Sequence, residues 1–182
     1  KVYNIASMVK LISRETQIIS LKQPTAGSGC TALLLASRIA QDEELLLISA
    51  NELLQLDLNE HIEAFRKRQL DGAMFVFKSI NPIYSFIRLG KDGEVVEVSQ
   101  KNPISSLATT GCFWFRKCSQ FVSAAQSMIL KNATVDGNYF IAPCYNEMIL
   151  EKRKIGVGEL DKRQYKPLKS KTMLKNTDWR FT

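Results

Sequence analysis

The 182-residue sequence contains one histidine, four scattered cysteines and no long apolar run. The cysteines form no CxxC pair, and together with His61 they make a poor zinc-binding set; nothing in their spacing suggests a disulfide framework. No apolar run approaches the roughly 18 residues that a membrane-spanning helix needs, and the N-terminal residues lack the basic-then-apolar order of a secretion signal. We therefore expect free thiols and a soluble, cytoplasmic protein.

What the sequence does contain is enough apolar residues to build a core. Hydrophobic residues make up 45% of the chain, and this content excludes disorder as a class. The length is typical of one domain, because domains commonly hold roughly 100–200 residues.

Positive charge is concentrated at the C-terminal end of the sequence. The net charge is +7, and residues 151–182 contain ten Lys or Arg against four Asp or Glu. Such a segment can attract nucleic acid, anionic lipid or phosphorylated ligands, although it is more often a solvated terminus. No interleaving of aromatic and basic residues accompanies it, so nucleic-acid binding is not favoured. We interpret residues 159–182 as a basic C-terminal extension to a domain that spans residues 1–158.

Strands and helices alternate in the first half of the sequence, as judged from apolar runs, propensity and capping residues. Such alternation is typical of parallel strands joined by crossover helices. The predicted strands are 16–21, 43–50 and 73–79, and the predicted helices are 31–40 and one that begins after Asp57 and ends near Gly72.

The second half of the sequence predicts a mixed sheet that continues the sheet of the first half. Residues 85–99 form a hairpin about a Gly-containing turn, residues 107–115 a further strand, and residues 119–131 a helix with one apolar face. The chain opens with YNIASMVKLISRE, a helix followed by a strand, instead of the strand and Gly-rich loop that open a doubly wound sheet. We predict an α/β, Rossmann-like three-layer nucleotide-binding domain with a mixed central sheet, lacking its first strand-loop unit.

Three loops carry candidate ligand-binding residues, because open α/β sheets bind ligands at the carboxyl ends of their strands. The loop KQPTAGSGC enters a helix, so its N–H groups could hold an anion or approach a flat base. Glu52 could hold a divalent cation that bridges phosphates, and Lys101 could pair with a phosphate. Taken singly, the loop and Lys101 are more typical of a capped turn and a surface lysine, and Glu52 could equally be an acid at a helix start.

Read in order, five segments resemble the sugar-phosphate nucleotidyltransferases, which make nucleotide-sugars for polysaccharide and lipopolysaccharide assembly. The resemblance covers roughly residues 16–158, and its specificity comes from the order and spacing of the segments. These are QPTAGSGCTALLLAS, ELLLISANE, EVVEVSQKNPIS, ATTGCFWF and DGNYFIAPCYNEMI.

The resemblance implies that a nucleoside triphosphate and a sugar 1-phosphate are joined, with release of pyrophosphate and the aid of Mg²⁺. The sugar phosphate attacks the α-phosphorus in line, so positioning and charge neutralisation dominate catalysis. By position, the nucleotide would contact Gln23, Gly27 and Ser28. The sugar would contact Thr110, Gly111, Asn138 and Tyr139. Mg²⁺ would bind Glu52, and Lys101 would be the catalytic residue that holds the sugar phosphate.

Residues 135–149, VDGNYFIAPCYNEMI, set hydrogen-bonding side chains beside aromatic ones at a turn. Under the resemblance, Asn138 and Tyr139 reach sugar hydroxyls, and Pro143, Tyr145 and Asn146 continue the same family segment. The alternative is a capped helix with a packed tyrosine.

Several positions depart from the family pattern. Glu52 stands for the usual Asp, Gln100 for a Glu, Asn138 for a Glu, and residues 168–174 have lost the Gly and the acid of a late family segment. These changes support an alternative function, a catalytically degenerate nucleotidyltransferase-like domain that acts as a binding, regulatory or assembly module with a protein partner or as a homo-oligomer. Neither the base nor the sugar follows from the sequence.

Overall fold

A mixed β-sheet with helices on both faces forms the centre of the protein. The structure is a computed structural model that describes residues 4–161 and 163–175. The helices are α1 (Ile5–Ile12), α2 (Ser28–Ala36), α3 (Leu58–Lys67), α4 (Cys118–Leu130), α5 (Cys144–Leu150) and α6 (Lys171–Lys175). The strands are β1 (Leu45–Ile48), β2 (Glu52–Leu54), β3 (Gly72–Lys78), β4 (Ser85–Leu89), β5 (Val95–Gln100), β6 (Leu107–Phe115), β7 (Ile155–Glu159) and β8 (Tyr165–Pro167).

The long strand β6 organises the main sheet, whose order is β5-β4-β6-β3-β7 with β1 added beside the end of β6. Strand β6 is antiparallel to β1, β3 and β4, whereas β3 and β7 pair in parallel. The predicted mixed sheet is confirmed. The expectation of parallel neighbours in the first half is wrong for β1 and β3, because β6 lies between them.

Most predicted elements form, and local chemistry explains why. Asp57 caps α3 by accepting hydrogen bonds from the backbone N–H groups of Asn59 at 2.9 Å and Glu60 at 3.4 Å, as an N-cap aspartate does. The predicted hairpin is β4 and β5, and the predicted helix 119–131 is α4. The strand predicted over residues 16–21 does not form.

Both faces of the sheet are covered, and this confirms the three-layer architecture. Alternate residues of β3 point to opposite faces, as the period of a strand requires. Met74 and Val76 pack in the core cluster that includes residues of α2, α4 and α5. Ala73 and Phe75 pack on the other face with Phe65 of α3. The cysteines are free thiols, as expected.

Two side chains of α5 hold the sheet together. The hydroxyl of Tyr145, which is fully buried, donates toward the carbonyl oxygens of Ala73 at 3.0 Å and Trp114 at 2.9 Å. The amide of Asn146 accepts from the backbone N–H of Val98 at 2.9 Å and donates to its carbonyl oxygen at 2.8 Å. Tyr145 and Asn146 therefore have a structural role, as expected from the alternative in which this segment is a capped helix with a packed tyrosine.

Residues beyond 158 continue into the same folded unit. The proposed boundary at residue 158 falls inside β7, and the following Leu160 and Tyr165 are each only 5% exposed. Strand β8 pairs with β2 in a separate two-stranded sheet. The part of the basic segment that the structure describes thus contributes to the core.

Tyr145→Phe should lower the free energy of unfolding by about 1 kcal/mol, because the substitution removes a buried hydroxyl whose single hydrogen is shared between two carbonyl oxygens of the sheet. Urea denaturation followed by circular dichroism measures this. The matched control is Tyr139→Phe, since the Tyr139 hydroxyl donates to the exposed Asn132 and its loss should cost little. Equal losses in both variants would contradict the structural role of Tyr145.

Candidate functional site

A cavity of about 260 Å³ opens where the start of α2, the end of β1 and the middle of β6 meet. Its position at the end of β1 agrees with the usual location of ligand sites in α/β sheets. The cavity is lined by Ser28, Ser49, Asn51, Ile83, Ser85, Gln100, Thr109, Thr110, Gly111, Phe113, Phe140, Ile141, Ala142 and Lys169.

The cavity wall combines neutral hydrogen-bonding groups with aromatic surface. Serine and threonine hydroxyls and the amides of Asn51 and Gln100 can both donate and accept hydrogen bonds. Phe113 and Phe140 add apolar surface, and Lys169 is the charged residue of the lining. Such a wall suits a polyhydroxylated ligand that also carries negative charge.

The Gly-rich loop and residues 135–149 are joined through their backbones. The N–H of Tyr139 donates to the carbonyl of Ala26 at 2.8 Å, and the N–H of Gly29 donates to the carbonyl of Tyr139 at 2.9 Å. Gly27 has φ +113°, and a Cβ atom there would overlap the backbone of Tyr139. Glycine is therefore required at residue 27, both by its conformation and by the close approach of the two segments.

Gly111 also requires the absence of a side chain. A Cβ atom at this residue would lie 2.5 Å from Ser49 Oγ and 2.8 Å from Glu52 Oε1. The backbone N–H of Gly111 donates to Glu52 Oε2 at 2.8 Å. The adjacent Thr110 is buried, and its hydroxyl accepts from the N–H of Cys112 at 3.1 Å. Two of the four predicted sugar-contact residues, Thr110 and Gly111, therefore lie at the cavity.

Glu52 lies behind the cavity wall, and its neighbour Asn51 faces the cavity instead. The Glu52 side chain is buried on β2, and its Oε1 atom has no hydrogen-bond partner among the described residues. Burial raises the pKa of the Glu52 carboxyl, and the hydrogen bond from Gly111 and the positive charge of Lys169 oppose that rise. The hydroxyl of Tyr165 lies in electrostatic contact with the same carboxyl.

The residues around Glu52 do not fit a Mg²⁺ ion. Mg²⁺ is usually bound through one or two accessible carboxylates together with phosphates and waters. Here one carboxylate oxygen accepts the Gly111 N–H and the other is buried. In the ranges 4–161 and 163–175, no three His, Cys, Asp or Glu side chains are grouped to hold a metal ion.

Lys101 lies beside the cavity but is already paired. Its ammonium is 2.7 Å from Asp136 Oδ2 and 5.6 Å from the ring centroid of Phe140, a cavity residue. The Lys101 side chain is 43% exposed and does not line the cavity. A phosphate would have to compete with Asp136 for this ammonium.

Three further predicted contact residues also lie outside the cavity lining. Asn138 donates from its amide to the carbonyl of Asp136 at 2.9 Å, Tyr139 donates to Asn132, and Gln23 is exposed. Of the predicted residues, the structure brings Ser28, Thr110 and Gly111 to the cavity wall, whereas Gln23, Gly27, Glu52, Lys101, Asn138 and Tyr139 lie around or behind it.

Sequence reasoning missed Asn51 and Lys169. Asn51 directly precedes the residue that was singled out, and the packing of Glu52 against the distant Gly111 leaves Asn51 exposed. The pairing of β2 with β8 brings Lys169 to the cavity, because the N–H of Leu168 donates to the carbonyl of Asn51 at 2.9 Å. The basic composition after residue 151 was the available signal for Lys169.

Comparison with known proteins identifies the fold. The sequence is matched by no family model and by no curated protein. The structure of the nucleoside-diphosphate-sugar pyrophosphorylase from Vibrio cholerae RC9 is similar with a TM-score of 0.77 and 20% identity, over 96% of this chain and 76% of that protein.

A second similar structure is a candidate glucose-1-phosphate thymidylyltransferase from Bacillus anthracis in complex with sucrose. Its TM-score is 0.69 and its identity 15%, over 94% of this chain and 69% of that protein. The chain therefore has the nucleotide-sugar pyrophosphorylase fold. Within the described residues, no helix has both the length and the apolar character to cross a membrane.

We expect isothermal titration calorimetry to show no saturable Mg²⁺ binding in the sub-millimolar range for the chain alone. The buried carboxyl of Glu52 offers no accessible oxygen, so Glu52→Gln should give the same result. Saturable binding that is present in the unmodified chain and lost in Glu52→Gln would show that the carboxyl does coordinate the ion.

Proposed function

We propose that the chain is a nucleotidyltransferase-like domain whose cavity binds a sugar 1-phosphate or the sugar-phosphate part of a nucleotide-sugar. The observation that carries this proposal is the cavity wall of hydroxyls, amides, two phenylalanines and one lysine, located at the end of β1 in a nucleotide-sugar pyrophosphorylase fold. By the resemblance, the sugar would be used in polysaccharide or lipopolysaccharide synthesis from cytoplasmic precursors.

Each part of the wall has a counterpart in such a ligand. The Ser28 and Ser49 hydroxyls and the Asn51 amide supply the donors and acceptors that sugar hydroxyls need. Phe113 and Phe140 present apolar ring surface to the C–H groups of a hexose, and Lys169 supplies positive charge for a phosphate. The volume of about 260 Å³ lies just below the usual range for small-molecule sites, as suits a ligand the size of one sugar phosphate.

Recognition is better supported than transfer chemistry in the described residues. Pyrophosphate release requires charge neutralisation at the phosphates, and Glu52, the carboxylate that the resemblance assigns to Mg²⁺, is buried and accepts the N–H of Gly111. Gln100, which replaces an acid of the family pattern, accepts a hydrogen bond from Ser85 and is neutral. We therefore favour a binding or regulatory module, which acts with a protein partner or a second copy.

The second candidate function is the transfer reaction itself. The similarity to the Vibrio pyrophosphorylase over 96% of this chain favours it. In this reaction a sugar phosphate oxygen forms a bond to the α-phosphorus of the nucleoside triphosphate as the bond to the pyrophosphate leaving group breaks. Incubation with each nucleoside triphosphate, a panel of sugar 1-phosphates and Mg²⁺ tests it by pyrophosphate release. Sugar-dependent turnover would establish catalysis, and sugar phosphate binding without turnover would favour the module.

Asn51→Ala should weaken sugar 1-phosphate binding roughly 3- to 10-fold, the effect of losing one hydrogen bond. Because Asn51 is exposed, stability should not change. Calorimetric titration with a panel of sugar 1-phosphates measures the affinity. Asn59→Ala is the matched control, an exposed asparagine at the start of α3. Affinity that is unchanged in Asn51→Ala, or reduced equally in both variants, would place the ligand elsewhere.

A further inference from the structure

The cavity contains one positively charged side chain, and it comes from the segment after β8. Lys169 follows Leu168, whose N–H is hydrogen-bonded to the carbonyl of Asn51. This bond ties the backbone before Lys169 to a residue of the cavity wall. The position of the lysine is therefore set by the fold, and not by a loose terminus.

The ammonium of Lys169 is held by weak partners only. It lies 4.5 Å from the ring centroid of Tyr84, a cation–π distance. Glu52, behind the wall, attracts it electrostatically, but none of the described carboxylates forms an ion pair with it. By contrast, the ammonium of Lys101 contacts Asp136 at 2.7 Å. Of these two lysines, Lys169 keeps its hydrogen-bond donors available for a ligand.

The surroundings of Glu52 explain why a lysine suits this place. Glu52 is only 8% exposed, and the Tyr165 hydroxyl is the other buried polar group that interacts with its carboxyl. A nearby ammonium can offset the negative charge of a buried carboxylate without direct contact. A divalent ion would instead need to be coordinated directly by oxygen ligands. Desolvation lowers the pKa of Lys169, and the charge of Glu52 opposes that change and favours the ammonium form.

We propose that Lys169 binds the phosphate of the sugar phosphate and that it supplies, without a metal ion, the positive charge of this cavity. The proposal rests on the proposed function, and it assigns to Lys169 the contact that the resemblance gives to Lys101. A lysine provides three donors and a point charge for a phosphate oxygen. Lys169 is exposed, so a phosphate can reach its ammonium directly from solvent.

Calorimetric titration of the chain with glucose 1-phosphate, glucose and inorganic phosphate tests the proposal, each in EDTA and again with Mg²⁺. The variants are Lys169→Met, Lys169→Arg and Lys101→Met. Lys171→Met is the matched control, because Lys171 is an exposed lysine two residues further along the chain. Thermal unfolding of every variant verifies that it is folded.

We expect glucose 1-phosphate to bind in EDTA and to bind more tightly than glucose. Lys169→Met should weaken its binding about tenfold or more, the size of a charge-assisted contact. Lys169→Arg should keep most of the affinity, and Lys171→Met should change nothing. If inorganic phosphate binds as tightly as the sugar phosphate, the site recognises the anion alone and the sugar part of the proposal is overturned.

Two other results would overturn the role of Lys169 and leave the proposed function standing. In one, Lys101→Met abolishes sugar phosphate binding and Lys169→Met does not. In the other, binding requires Mg²⁺. If no sugar phosphate binds to the unmodified chain under either condition, the proposed function fails together with the inference.

Discussion

The hydrogen bond from the backbone N–H of Gly111 to the carboxyl of Glu52 is the contact on which the cavity depends. It joins the central strand β6 to the two-stranded sheet of β2 and β8. Because Glu52 is buried against Gly111, Asn51 faces outward, and the pairing of β8 with β2 then carries Lys169 to the same place. One buried carboxyl thus sets the position of the wall amide and of the cation, although Glu52 does not itself line the cavity.

Local sequence signals predicted those helices and strands whose formation depends mainly on neighbouring residues. Asp57 marked the start of α3 because an N-cap is a local hydrogen-bond pattern, and the strand β6 followed from the threonine and aromatic residues of LATTGCFWF. Neighbour relations in the sheet depend on contacts between distant residues, so the insertion of β6 between β1 and β3 was not predicted. The three-residue strands β2 and β8 are too short to show a period.

The sequence predicted the region of the candidate site but not every residue that lines it, because some of these residues are positioned by contacts between distant parts of the chain. The order of the motifs pointed to Ser28, Thr110 and Gly111. These residues lie in α2 and β6 and line the cavity. The choice between Asn51 and Glu52 depends on a contact with Gly111, which is 59 residues away in the sequence. The resemblance favoured Glu52, because it stands where the family has an Asp, and the close packing of Gly111 explains why its carboxyl is buried here.

Strand β5 is one of the outer strands of the main sheet, and its unpaired backbone groups could recruit a strand from another molecule. The amide of Asn146 occupies the N–H and the carbonyl of Val98 in the middle of this edge. It mimics one residue of a neighbouring strand and leaves no continuous row of free groups. The side chain that fastens α5 to the sheet therefore also protects the protein against edge-to-edge aggregation.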